Sequence, residues 1–538
     1  MEGNARKSAI LSEHRPAGIA RCAAASPQHR NEGEGELNAF RTIEGDAPLD
    51  MLIVGAGISG IGAACYLTRE QPDKTWAIVE ARERLGGTWD LFRYPGIRSD
   101  SDLFTYGYDF KPWKSKKAIA GAREILDYLR EAAAEYGVDS KIRYNHRVVA
   151  AEWDSAKGLW TVSIHRSDID AEMRLRCRWL FGAVGYYDYD QGYRPRFEGE
   201  ENFRGALIHP QHWPEDFEYA GKRIAVIGSG ATAVTLVPAL AEKAAHVTQV
   251  QRTPTYVLPV PSEDKLANLL RSWLPEKLGY AIARRRYILQ QRWIYGLCQR
   301  YPETARRLIR WVNRKYLPDD FPVDVHFNPP YKPWTQRLCV VPDGDFFKEL
   351  ANGRVSIVTG AIDRFTETGI RIASGQEIAA DVIVTATGLN LKFLGGIELR
   401  VDGVRVNPSE KLVFKGLMLD GVPNFCFAVG YTNSSWTLKV GLLCQYLCRL
   451  LKEMDDRGHA VCVVERPKGG IGTRPLLDFG AGYVQRSLHM FPRQGDSYPW
   501  QMTFSYVSDA RLVRRGPITD PAMRLSPAPS SAERQLAA

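Results

Sequence analysis

The sequence is poor in the features that would place it in a membrane or in an oxidising compartment. None of its apolar runs approaches the roughly 20 residues a helix needs to span a bilayer. Its first residues show no apolar stretch followed by a small-residue cleavage site, so the cytoplasm is the expected setting. The nine cysteines are scattered and include no CxxC, which argues against a disulfide framework and against a zinc ribbon. Metal-ligand spacing is missing too. His209 and His212 stand three apart in HPQH, but no third ligand accompanies them, and Pro210 breaks the helix that would align them. No metal is expected.

What is present is an ordinary globular composition, 44% hydrophobic and 25% charged, over 538 residues, enough for two or three domains. The net charge of +9 is concentrated. Between Lys265 and Lys315 there are 13 Lys or Arg against two acids, Glu276 and Glu303. Pro275 and Pro302 divide this basic stretch, which otherwise has helical character. Two readings stand for it: a weak peripheral membrane contact, since arginines with interfacial tryptophans favour anionic lipid, or the solvated face of a helical insert, which is favoured. Charge alone does not make a nucleic-acid partner, and no nucleic-acid motif accompanies it.

The first chemistry-bearing motif is GAGISG. Gly55, Gly57 and Gly60 follow an apolar run and open a helix, the arrangement that seats a pyrophosphate on a helix N-terminus. Glu80 closes the next strand 20 residues after Gly60, where a carboxylate accepts hydrogen bonds from a ribose 2′-hydroxyl. A second motif, GSGATA, repeats the turn with Gly228, Gly230 and Ala233. After its second strand the acid is missing and Arg252 stands there. A guanidinium binds a 2′-phosphate that a carboxylate would repel, so this site is expected to prefer NADPH.

Two nucleotide sites of opposite charge logic imply two ligands: FAD at the first turn and NADPH at the second, with hydride passing between them. A disulfide reductase of this plan needs a redox cysteine pair near the flavin, and residues 86 to 106 contain no cysteine. Transfer to oxygen is the better expectation. The loop GGTWDLFRYPGIRSDSD, with turns at Gly86-Gly87 and Pro95-Gly96, would wrap a flat ring and set a charge pair, drawn from Arg98 and Asp100, beside it. Asp102 reads as the N-cap of the following LFTYGY, and Asp100 as functional.

These residues carry a resemblance. GGTWDLFRYPGIRSD and FRGALIHPQHWP, the latter through Phe203, Gly205, His209, Trp213 and Pro214, lie beside the two dinucleotide turns. Together they resemble the class B flavoprotein monooxygenases of the Baeyer-Villiger type. HPQHWPED, IGSGATAVTLVPAL, TATGLNL and GYTNSSWTLK look like the ethionamide-activating subgroup, from about Leu49 to about Met523.

The resemblance implies an α/β fold of two Rossmann-like dinucleotide-binding domains, for FAD and NADPH, the second inserted in the first, with a helical subdomain. Residues 1–48 would be a disordered extension. Residues 49–202 and 389–518 would form the FAD domain, and 203–388 the NADPH domain with its insert at 262–320. Residues 519–538 would be a disordered tail. FAD contacts carry over to Gly55, Gly57, Ser59, Gly60, Glu80, Thr88, Trp89, Asp90, Leu91, Arg98, Ser99, Asp100 and Val148. NADPH contacts carry over to Gly228, Ser229, Gly230, Ala231, Thr232, Ala233, Arg252 and Thr253.

The implied activity uses NADPH and O2 to insert one oxygen atom beside a ketone carbonyl, giving an ester or lactone, or to oxidise the sulfur of a thioether or thioamide. That chemistry develops negative charge and asks for a permanent cation. By the resemblance this is Arg337, held by Asp100. His209 would sit at the junction where the two halves hinge, while Phe203 and Trp213 anchor the linker and His212 is solvated surface. A flavin monooxygenase limited to heteroatoms and a non-catalytic NADPH/flavin redox sensor are the alternatives. The first is disfavoured by the complete FRGALIHPQHWP fingerprint, the second by the Asp100 and Arg337 pair.

Overall fold

A computed structural model describes residues 47–336 and 338–529. The apolar run LDMLIV forms β1 (Leu49–Val54), and the glycine turn after it opens α1 (Ile58–Glu70). β2 (Trp76–Val79) returns parallel to β1, with Trp76 opposite Met51. In α2 (Ala122–Glu135), Ile125, Leu129 and Ala133 fall on one face and are buried, as their three- and four-residue spacing dictates. Glu124 caps its start by accepting from the Gly121 N–H at 3.1 Å. After the short β3 (Ile142–Arg143) comes the hairpin of β4 (His146–Asp154) and β5 (Leu159–Arg166), which turns at Lys157-Gly158 and places Trp153 opposite Trp160. The long β6 (Ala171–Gly182) pairs with β5 through its first half and with β1 through its second.

The chain then leaves this sheet through β7 (Tyr187–Gly192) and builds a second layer from β8 (Ala206–Ile208), β9 (Arg223–Ile227), α3 (Ala231–Ala241) and β10 (His246–Gln251). The basic stretch follows as α4 (Lys265–Trp273), α5 (Glu276–Arg300) and α6 (Pro302–Arg314), broken at Pro275 and Pro302 as expected. β11 (Val355–Thr359) and β12 (Val382–Thr385) complete a five-stranded, all-parallel sheet in the order β11-β10-β9-β12-β8. Its central strands β9 and β12 are near-continuous apolar runs, buried on both faces. β13 (Leu389–Leu391) returns antiparallel to β7, so the outgoing and returning chains cross side by side.

Beyond the crossing, β14 (Glu398–Val401), β15 (Val404–Arg405) and β16 (Phe425–Phe427) rejoin the first sheet. It has nine strands in the order β15-β14-β4-β5-β6-β1-β2-β3, with β16 also paired to β6. The helix α7 (Trp436–Asp456) packs its buried face, including Leu443, Leu447 and Leu450, into the core shared with α1 and α2. This α/β architecture of two dinucleotide-type units agrees with the expected fold class.

One expectation is corrected. Residues 519–529 are not a disordered tail: β18 (Met523–Ser526) pairs antiparallel with β17 (Val461–Val464), and Met523 and Leu525 pack against the first core. The alternation in Met-Arg-Leu-Ser supplies two apolar side chains to one face, a signal that the surrounding Pro and Ser residues mask in composition. Residues 1–46, which carry most of the expected N-terminal extension, and 530–538 lie outside the described residues.

Candidate active site

The first glycine turn is a roofed cradle. Gly55 has φ +103°, Gly57 caps the start of α1, and the Cα of Gly87 lies 3.6 Å from where a Gly57 Cβ would stand. A Cβ on Gly60 would run into the Gly55 carbonyl oxygen, so the third glycine serves helix–strand packing. Glu80 is buried just past β2. Its Oε2 accepts from the Ala56 N–H at 2.6 Å and its Oε1 from the Arg82 N–H at 3.0 Å. Burial pushes this carboxyl up, while the two backbone donors pull it down. The turn and its acid are thereby one hydrogen-bonded unit.

The second turn has the same backbone path and a different surround. Gly228 has φ +144°, but nothing lies within 4 Å of a Cβ built on Gly230. The Ser229 hydroxyl donates to the Thr253 carbonyl at 2.8 Å, and Arg252 is exposed with no ion pair among the described residues. The loop of residues 86–102 joins the two turns. Its Gly87 roofs the first, and a Cβ on its Gly96 would meet the Thr235 carbonyl oxygen on α3 at 2.8 Å. Tyr94 in the same loop is hydrogen-bonded to Thr232, and its burial pushes the phenol up to about 12.

Both turns open on a single cavity of about 2150 Å³. Single small-molecule sites run to about 1,000 Å³, so there is room for more than one ligand. Of the expected residues, Gly55, Gly57, Ser59, Glu80, Thr88, Trp89, Leu91, Arg98, Ser99, Asp100 and Val148 line it from the first unit. Gly228, Ser229, Gly230, Ala231, Thr232, Arg252 and Thr253 line it from the second. Arg337 lies outside the described residues, but its chain neighbours Gln336 and Leu338 line the same cavity as Asp100.

Several expectations need correction. Gly60 and Ala233 do not line the cavity, because the third position of each turn faces the sheet, and Ala233 is fully buried in the second core. Asp90 also lies away from it. Its buried carboxylate is held by Arg82 at 2.6 Å, Arg84 at 3.3 Å and Arg93 at 3.7 Å, a structural cluster that braces the loop. Arg98 is paired with Asp345 from the second unit, so its charge partner is not Asp100. Asp102 caps a helical turn at Leu103–Tyr106, as expected, accepting from the Thr105 N–H at 2.8 Å.

The structure also brings in residues that no local signal had marked. Trp436, at the start of α7, donates its indole N–H to the Ser59 hydroxyl at 2.8 Å. Tyr106 accepts from the Trp89 indole at 2.8 Å, Tyr189 shares a hydrogen bond with Thr88 at 3.0 Å, and Arg486 lies over the Tyr193 ring at 3.4 Å. Trp436 falls within GYTNSSWTLK, the one place where the sequence pointed near it. Among the described residues no group of side chains could hold a metal, and the eight described cysteines are buried, form no disulfide with one another and do not line the cavity.

None of the fingerprint residues Phe203, Gly205, His209 and Trp213 lines the cavity, and His209 stands at the crossing. The His209 Nε2 lies 3.2 Å from the Gly388 carbonyl, and its Nδ1 accepts from the Gln211 N–H at 3.2 Å. Those two contacts require a neutral ring protonated on Nε2, and burial lowers its pKa accordingly. The ring packs on Gly192, at the end of β7, so one side chain touches both the outgoing and the returning chain. Phe203 meets Phe365 edge-on at 6.4 Å, Gly205 lies against the Asp381 backbone, and Trp213 is buried between Phe217 and Tyr219 at 6.0 and 6.2 Å. His212 is exposed.

Comparison with known proteins fits this geometry. The profile of the pyridine nucleotide-disulphide oxidoreductase family matches residues 52–281. The chain is 50% identical to the FAD-containing monooxygenase EthA of Mycobacterium tuberculosis over 483 residues, covering 90% of this chain and 98% of that protein. Among solved structures it is similar to an oxidized steroid monooxygenase bound to NADP, with a TM-score of 0.69 and 22% identity over 90% of this chain and all (100%) of that one. It is also similar to a cyclohexanone monooxygenase holding ε-caprolactone, with a TM-score of 0.66 and 20% identity over 89% of this chain and 100% of that one.

Proposed function

Because this chain belongs to the FAD-containing monooxygenases, we propose that it is an NADPH-dependent Baeyer-Villiger monooxygenase. It inserts one atom of O2 beside a ketone carbonyl to give an ester or lactone, and oxidises sulfur in thioethers or thioamides. The observation that carries this reading is the opening of two glycine turns of opposite charge logic, with Asp100 and the flanks of Arg337, on one cavity. The FRGALIHPQHWP segment at the crossing favours the ketone branch over the heteroatom-only one, as does the lactone seated in the cyclohexanone monooxygenase.

FAD, once reduced, supplies the activation of O2. The residues of this chain hold and shield the groups that react. In this reading the first turn binds the FAD pyrophosphate, and Glu80, already fixed by two backbone N–H groups, takes the ribose hydroxyls. The second turn binds the NADPH pyrophosphate, and Arg252 grips the 2′-phosphate in a bidentate fashion. Arg337 keeps a fixed positive charge where negative charge develops on oxygen, and Asp100 holds it there. The partly buried aromatic wall of Trp89, Tyr106 and Trp436, packed against the first core, limits the access of water to the inner end.

The test is consumption of NADPH and of ¹⁸O2 by the flavin-loaded protein with a panel of cyclic and linear ketones and thioethers, followed by product mass. An ester or lactone carrying one ¹⁸O per turnover is expected. NADPH oxidation that yields only hydrogen peroxide with every substrate would remove the monooxygenase reading, and sulfoxides alone would leave the heteroatom-limited one.

A further inference from the structure

Most of the large apolar side chains that stand in solvent belong to the basic helices. On α4 these are Leu266, Leu269 and Trp273, the last 82% exposed. On α5, Leu278, Ile282, Leu289, Trp293 and Leu297 recur at four- and seven-residue spacing and form a stripe along one side, with Trp293 67% exposed. On α6, Leu308 and Trp311 stand half in solvent. A surface helix of a soluble domain ordinarily turns such a stripe inward.

The helix α5 cannot do so, because its opposite side is already committed. Tyr280 donates to the Tyr108 carbonyl at 2.8 Å, Arg284 to the carbonyls of Phe104 at 2.7 Å and Gly107 at 2.8 Å, and Gln291 to Asp102 at 2.7 Å. Alongside the stripe, Lys265, Lys277, Arg285, Arg292, Arg300 and Arg307 are exposed and make no ion pair among the described residues. Exposed tryptophan and leucine flanked by unpaired arginine and lysine match the boundary between lipid headgroups and acyl chains, with the cations on anionic headgroups. A second copy of the chain would bring the same positive charges face to face, which opposes self-association through this surface. Leu266 and Ile294 belong both to this surface and to the lining of the cavity, so the cavity opens at the same face.

We infer that α4–α6 form a docking surface for an anionic lipid bilayer, with the cavity mouth turned toward it. The test is co-sedimentation of the full-length, flavin-loaded protein with vesicles of phosphatidylcholine containing 30% phosphatidylglycerol and with phosphatidylcholine alone. Binding to the anionic vesicles is expected, about tenfold or more above that to the neutral ones and falling with added salt. Trp273→Ser/Trp293→Ser and Arg285→Gln/Arg292→Gln should each weaken it by about tenfold or more at unchanged thermal stability and unchanged NADPH oxidation without vesicles. No binding at low salt, or equal binding of the variants, overturns the inference. Loss of a dimer by the tryptophan variants in vesicle-free buffer also overturns it and assigns the surface to a second copy.

Discussion

The two glycine turns share a backbone and differ in everything placed around it. The first is roofed by Gly87 and locked to its own acid, since Glu80 accepts from Ala56 within the turn. The second faces open space at Gly230 and ends in an exposed arginine. The 86–102 loop thus lies directly over the first turn, whereas no such cover stands over Gly230 of the second. The arrangement suits a resident cofactor at one turn and an exchanging one at the other. The loop that roofs the first turn also packs on α3 of the second through Gly96, so the two are unequal but not independent.

The sharpest way to break that comparison is to leave both turns intact and remove the cation proposed for the chemical step. Arg337→Ala should retain flavin reduction by NADPH while oxygenated product falls by about 100- to 1,000-fold; rapid-mixing flavin absorbance and product mass separate the two steps. Retained product formation would take Arg337 out of the mechanism. Next, the third positions should respond unequally. Gly60→Ala forces a Cβ into the Gly55 carbonyl and is expected to cost about 3 kcal/mol with loss of bound flavin. Ala233→Gly should cost only about 1 kcal/mol; thermal melts with flavin fluorescence read both. Arg252→Gln is expected to raise KM for NADPH by about tenfold and leave NADH unchanged, the signature of a lost 2′-phosphate contact.

The smallest effect concerns the crossing. The His209 pKa is depressed in the folded chain, so its contribution to stability is complete above the ordinary value of 6.5 and is lost as pH falls from there through the lower folded value. Protonation would also put a proton on the Nδ1 that accepts from Gln211. The melting temperature should therefore drop more steeply as pH falls below about 6.5 than that of His209→Gln, by about a degree or two in a chain of this size. Parallel pH profiles would remove His209 as the sensitive group.

What the sequence made legible was whatever local spacing encodes. The turns, the hairpin at Lys157-Gly158, the helix breaks at Pro275 and Pro302 and the Asp102 cap all rest on residues within a few positions of each other. What stayed hidden were partnerships across the chain. Arg98 and Asp345 are 247 residues apart, and Trp436 reaches Ser59 across 377. Charge counting also misread parts of the basic stretch. Arg284 is buried with backbone carbonyls as its partners, and Arg271 donates to the Ser115 carbonyl at 2.9 Å, so neither belongs to the solvated face. Composition hid β18 in the same way, because two apolar residues do not change the average of a Pro- and Ser-rich end.

The placement of the cysteines has a consequence for durability. Any hydrogen peroxide that escapes from an oxygen-activating flavin attacks thiolates, and sulfenic acid is the first rung of lasting damage. Here burial pushes the thiols of Cys65 and Cys462 up to about 12, and seven of the eight described cysteines lie within the hydrophobic cores, Cys298 on α5 being buried outside them. Cys65 and Cys462 are thereby carried as unreactive filler, and their oxidation is expected to lag behind loss of the flavin or of the fold.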